Sequence, residues 1–111
     1  MPERKNAMDM EFQEIIKAVS DVTGLSANQI LCKRRFPEIT DARWMVVQIM
    51  WENGFYTSRI AEHLSMTTRN VNHVLFSLSM RLDGGDHRIR NNLERIRKQL
   101  GNIREISHNN G

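Results

Sequence analysis

The sequence predicts an all-α chain of about six helices organised around a helix-turn-helix. Three observations carry that prediction. Apolar residues recur at helical spacing along most of the chain, with no strand-like alternation, internal repeat or low-complexity tract. Breakers at Gly24, Phe36-Pro37, Gly54 and Asp83-Gly84-Gly85 cut the chain into helix-sized pieces. Residues 60 to 75 read as a short helix, a tight turn and a second helix whose apolar positions face the first.

The first helix is expected over residues 8 to 23, where Met8, Phe12, Ile15, Ile16, Val19 and Val22 share one face and Gly24 stands at the stop. Residues 1 to 7 are expected to be disordered. Ser26 followed by Gln29 forms a capping-box pattern before Ile30 and Leu31, which predicts a short second helix ending near Lys33. A basic loop, Lys33-Arg34-Arg35, follows. From Glu38 to Asn53, Ala42, Met45, Val46, Ile49 and Met50 make one apolar stripe, while Trp44, Val47 and Trp51 make another. A helix apolar on most of its circumference belongs at the centre of a bundle, and both tryptophans are expected in the core.

The helix-turn-helix is placed at residues 57 to 82. Thr57 or Ser58 is expected to cap its first helix, and Thr67 its second, which runs from about Thr68 to Leu82. Small Ala61 lets the helices approach, Leu64 and Met66 fill the corner, and Val71, Val74 and Leu75 bury the inner face. Thr68, Arg69, Asn72 and His73 are left outward, where such modules hold side chains against base edges in a major groove. Phe76 also points outward.

The last helix, residues 86 to 106, is basic. Ile89, Leu93, Ile96, Leu100 and Ile103 follow the narrow spacing of a seam, among Arg88, Arg90, Arg95, Arg97, Lys98 and Arg104. Two outcomes fit that seam: it packs back on its own domain, or it forms a homodimer through Ile89, Leu93, Ile96 and Leu100. The polar end, residues 107 to 111, is expected to fray.

The chain has 111 residues, enough for one domain with a real core. Sixteen basic and thirteen acidic side chains give a net charge of +3, and the pI near 9.5 favours an anionic partner. Residues 84 to 111 hold six basic and three acidic groups, so the positive surplus lies largely in the tail. The lone Cys32 precludes an internal disulfide, and no run of about 18 apolar residues offers a membrane span. The polar start Met1-Pro2-Glu3-Arg4-Lys5-Asn6 lacks the apolar stretch of a secretory signal, so a cytoplasmic protein is expected. The histidines at 63, 73, 87 and 108 lack ligand spacing. No catalytic constellation stands in a recognisable motif, so neither metal, cofactor nor enzymatic activity is expected. Stacking on single-stranded nucleic acid would need exposed aromatics, and few are foreseen beyond Phe55 and Tyr56.

Leu31 to Leu75, read together, resembles the C-terminal DNA-binding domain of the bacterial chromosomal replication initiator DnaA. The likeness rests on order. Glu14-Ile15-Ile16-Lys17-Ala18-Val19 leads to Gly24-Leu25-Ser26 and Ile30-Leu31, the basic loop precedes Ala42-Arg43 in a long apolar helix, and Ser58-Arg59-Ile60-Ala61 opens the helix-turn-helix. The resemblance covers roughly residues 11 to 82 and implies a Trp-repressor-like helix-turn-helix. It implies a minor-groove or backbone role for Arg34 and Arg35, a phosphate or bracing role for Arg43, and base reading by the turn from Thr67 to His73; Lys33, Ser58, Arg59 and Thr67 are also expected to meet the DNA backbone or minor groove. The family's Gly-Gly-Arg-Asp-His-Thr-Thr-Val signature is replaced by the shorter Ser65-Met66-Thr67-Thr68-Arg69-Asn70-Val71, so the family's own origin boxes are not the implied target. No Gly-x-x-x-x-Gly-Lys-Ser loop is present, and the expectation is a stand-alone domain without the ATPase. The expected function is sequence-specific binding of double-stranded DNA in the regulation of transcription or replication. The alternative is a protein-protein adaptor that keeps the fold without binding DNA.

Overall fold

The computed structural model describes the backbone of residues 2–110 and the side chains of residues 10–101. Six helices follow in order: α1 (Pro2–Thr23), α2 (Ala27–Leu31), α3 (Pro37–Glu52), α4 (Thr57–Leu64), α5 (Thr68–Asp83) and α6 (His87–Asn110). No strand occurs among the described residues, so the all-α class holds. None of these helices is long and apolar enough to cross a membrane.

The outer ends differ from expectation. Helical backbone begins at Pro2, within the stretch 1 to 7 read as disordered, and α6 continues to Asn110 through most of the tail read as frayed. Proline suits a first helical turn, and once a helix is nucleated each further residue costs little. The side chains of Met8, Ile103 and Arg104, named for their spacing or charge, lie outside the described residues.

Helix α3 is the hub. Ala42, Met45, Val46, Val47, Ile49 and Met50 are at most 1% exposed, and α3 meets each of the other five helices. That follows from apolar residues on most of its circumference. One tryptophan departs from the pattern. Trp44 packs half-buried against the core, but Trp51, in the last turn of α3, is 52% exposed. Phe55, expected at the surface, is buried instead. The chain reverses at Asn53-Gly54, and the Phe55 amide donates to the Met50 carbonyl at 3.1 Å, which folds the ring back under the helix end.

Helices α1 and α6 pack along each other and onto α3. Phe12, Ile15, Ile16 and Val19 join Ile89, Leu93, Ile96 and Leu100 in one core. The α6 residues of that set are at most 6% exposed, so the seam serves its own chain and a homodimer through Ile89, Leu93, Ile96 and Leu100 is corrected to an intramolecular contact. These side chains have no apolar surface left to bury in a partner.

The expected caps are largely present. Ser26 Oγ accepts from the Gln29 amide at 3.1 Å while Gln29 Oε1 accepts from the Ser26 amide at 2.8 Å, completing the capping box. Asp86 opens α6, its Oδ1 accepting from the Ile89 amide at 3.2 Å. That bond and the neighbouring Arg81 hold the Asp86 carboxyl below its usual range, and the charge of Arg88 adds to the effect.

Candidate nucleic-acid interface

Three residues separate α4 from α5, and local chemistry makes the corner tight. Ser65 ends α4 in the left-handed region at φ 54. The Met66 amide then donates back to the Ala61 carbonyl at 2.9 Å, which closes the helix end. Leu64 and Ala61 are buried, and Met66 packs half-buried against them as its position predicts. Thr67 caps α5, with Oγ1 accepting from the Asn70 amide at 3.0 Å.

The start of α4 is built differently from expectation. Its cap is Tyr56, which makes no side-chain capping bond, so neither Thr57 nor Ser58 takes that role. The helix begins one residue too early for either hydroxyl to reach back. His63 instead anchors α4 to the body, with its ring 4.6 Å from that of Phe12 and 5.8 Å from that of Phe55.

Helix α5 has two contrasting faces. Val71, Val74 and Leu78 are buried on one. Arg69, Asn72, His73, Phe76 and Met80 fall within about 100° of arc on the other at 100° per residue, and all five are exposed. Thr68 lies beside this stripe, also exposed. The four side chains named for base contact therefore come together at the first two turns of α5, next to the corner. Arg69 and Asn72 have no side-chain hydrogen bond or ion pair within the described residues, which leaves their donors and acceptors for a ligand. His73 is partly held: its ring stands edge-on to Trp44 at 6.5 Å between centroids, and Nε2 lies 3.4 Å from Ser77 Oγ.

The remaining named cations divide into exposed and engaged. Lys33, Arg34 and Arg35 are exposed in the loop that leads into α3. The first turns of α3, at Asp41 and Trp44, lie along the flank of α5 that carries His73 and Arg81, so the loop enters the fold on that side. Arg43 is half-buried and turned inward, donating through Nε to the Ile30 carbonyl at 3.4 Å and through a terminal nitrogen to the Cys32 carbonyl. Its role is bracing: it ties the end of α2, and hence the basic loop, to α3. Ser58, Arg59 and Thr67 are exposed, and Arg59 faces Glu62 at 3.3 Å in a solvated pair.

Arg81 is the structural residue that sequence reading missed. It donates to Asp41 at 2.8 Å and to Asp86 at 2.9 Å, and its guanidinium lies 5.7 Å from the Trp44 ring centroid. Helices α3 and α5 and the turn that opens α6 meet at this side chain. The hydrogen bond to Asp41 raises its pKa, burial opposes the rise, and Asp86 reinforces it. A signal was available: Val71, Val74, Leu78 and Arg81 continue one helical register, so a cation stands where the inner stripe predicts an apolar residue.

Elsewhere the surface offers two lesser features. Between α3 and α5, a shallow groove of about 280 Å³ is lined by Gln48, Trp51, Leu75, Ser79, Leu82 and Asp83. A cleft of about 450 Å³ opens between α1, α3 and α6, with Glu38, Asp41 and Arg88 at its edge. No group of three or more His, Cys, Asp or Glu side chains able to hold a metal occurs among the described residues. Compared with protein-family models, with curated proteins and with solved structures, the chain matches none of them.

Proposed function

We propose that the chain binds double-stranded DNA sequence-specifically, with α5 in the major groove, and that it acts in the regulation of transcription or replication. The observation that carries this reading is the outer face of α5. An arginine and an asparagine, the side chains best shaped for bidentate contact with guanine and adenine, stand exposed and unengaged at the first turns of a helix entered through a three-residue corner. Thr68 and His73 complete the reading set. The loop cations Lys33, Arg34 and Arg35 supply phosphate or minor-groove contacts, with Arg43 fixing the loop from behind. The order of these parts is that of the initiator's DNA-binding domain, here with a recognition helix of different sequence and therefore a different target.

A second reading draws on a specific observation. Phe76 and Met80 continue the same outer stripe and, with Trp51, leave three large apolar side chains more than half exposed on adjoining helices. Exposed apolar side chains of this size suit a protein-protein adaptor. The two readings separate in one experiment. Selection of bound sequences from a random duplex pool is expected to yield a consensus, with binding that weakens as salt rises. The absence of any salt-dependent shift with duplex DNA at low ionic strength would remove the first reading and leave the adaptor.

A further inference from the structure

Besides α5, helix α6 also carries an exposed polar face. Arg88, Asn91, Arg95 and Lys98 follow one another at intervals of three, four and three, so they form a ridge, and all four are exposed. Two other cations of α6, Arg90 and Arg97, are already occupied. Arg90 donates to the Leu82 carbonyl at 2.7 Å, and Arg97 holds Glu52 with bonds of 2.8 and 2.6 Å. Glu94 contributes its field to Arg97. Asp21, an α1 carboxylate that reaches α6, is taken up by Gln99 at 2.9 Å. Arg95 and Lys98, by contrast, have no hydrogen bond or ion pair within the described residues, and Arg88 adds only its charge to the field at Asp86.

The direction of the ridge follows from those occupied residues. Arg90 and Arg97 mark the flank of α6 that meets α5 and α3. At 100° per residue the ridge is centred about 130° round the helix from that flank. It is therefore turned from the flank that meets α5, with Arg88 at the rim of the cleft that Glu38 and Asp41 also border. From Arg88 to Lys98 the ridge is about 15 Å long, a length over which duplex DNA presents about nine phosphate charges.

We propose that Arg88, Arg95 and Lys98 form a second, sequence-independent contact for the phosphate backbone of duplex DNA, so that one chain holds two duplex segments, one on α5 and one on α6. The holding of two segments rests on the reading of α5 given above. The phosphate contact of α6 does not.

The test uses the full chain and the variant R88Q/R95Q/K98Q, with R88K/R95K as a charge-conserving control and R69A/N72A as the complementary one. Protein is loaded at low salt on an immobilised duplex carrying its selected site, and capture of a second, labelled duplex of unrelated sequence is measured. R88Q/R95Q/K98Q is expected to hold the first duplex and to lose capture of the second by roughly ten-fold or more. The salt slope for unrelated duplex should fall by about 2 to 3, at about 0.9 per lost phosphate contact. R88K/R95K is expected to capture normally, and R69A/N72A to lose the selected site while retaining salt-dependent binding of unrelated duplex. If selection yields no site but unrelated duplex still binds through the ridge, the reading of α5 fails and the α6 contact stands. Unchanged capture and unchanged salt slope in R88Q/R95Q/K98Q would overturn the proposal. So would equal retention of polyglutamate in place of the second duplex, since the ridge would then be a site for acidic polypeptides.

Discussion

Helices α5 and α6 are both half buried and half exposed, yet their outer faces differ in kind. The face of α5 mixes an arginine, an asparagine, a threonine and a histidine, side chains whose donors and acceptors have direction. The exposed ridge of α6 holds arginine and lysine around one asparagine, groups that a phosphate attracts whatever bases lie between. Their inner faces are alike, Val71, Val74 and Leu78 in one and Ile89, Leu93 and Ile96 in the other, each at most 4% exposed. The contrast teaches that charge content is a poor guide to where side chains with directional donors and acceptors gather. The tail carries the surplus of positive charge, but the direction-dependent chemistry belongs to α5.

The strongest way to break the comparison is to attack what the two helices share. Leu78→Ala and Leu93→Ala each empty a fully buried site and are expected to cost about 2 to 5 kcal/mol in urea unfolding. Both should lower the midpoint in the same way. If α6 used its seam between chains, the midpoint of the wild-type protein would rise with concentration; across roughly a hundred-fold range it is expected to stay constant.

Next in size are effects on binding, where the outer faces should part. Arg69→Ala is expected to cost about 1 to 3 kcal/mol at the selected site and to relax preference at one base pair. Arg34→Ala or Arg35→Ala should weaken all duplexes alike and reduce the salt slope by about 0.9 each. Competition with single-base variants of the site checks both. Equal losses on every variant for Arg69→Ala would show that it contacts phosphate and that α5 does not read there.

Much of this architecture was legible because local chemistry determined it. The Ser26–Gln29 box, the Thr67 cap, the central α3 and the outward set Thr68, Arg69, Asn72 and His73 depend on spacing within a turn or two. What was not legible depends on partners distant in sequence. Arg81 meets Asp41 forty residues away, and Glu52 meets Arg97 forty-five residues away. Nothing in either neighbourhood announces its partner. Trp51 was misplaced because a repeat shows which residues share a face but not where a helix overruns its neighbours, and Phe55 because the reversal at Asn53-Gly54 that turns it inward has no periodic signal.

A smaller effect tests the tie between α3 and α6. Burial pushes the Glu52 carboxyl up, but hydrogen bonds from Arg97 and Gln48, with the charge of Arg97, outweigh it and leave the pKa below its usual value. A carboxyl lowered in the folded state adds stability above its unfolded pKa and loses it as pH falls through the folded one. Stability is therefore expected to hold from neutral pH to about 5 and to decline below about 4, where carboxylates begin to protonate. Glu52→Gln should cost up to about 1 kcal/mol at neutral pH, since the pair is partly solvated, and should flatten that decline. Urea titrations of both proteins from pH 7 to about 3 measure the difference.

The smallest effect compares the turns that lead into the two helices. Both pass through left-handed backbone, at Ser65 with φ 54 before α5 and at Gly85 with φ 86 before α6. Glycine enters that region without steric cost, whereas a residue with a Cβ carries about 1 to 2 kcal/mol of strain. Part of any gain from glycine is offset by its greater freedom in the unfolded chain. Ser65→Gly is therefore expected to raise stability by only about 0.5 to 1 kcal/mol, and Gly85→Ser to lower it by a similar amount. The corner before α5 is also the one that presents Thr68 and Arg69. If Ser65→Gly stabilises the fold but leaves affinity for the selected site unchanged, the serine conformation is only strain. If it weakens binding, the rigidity that serine imposes on the corner helps hold the reading residues in place.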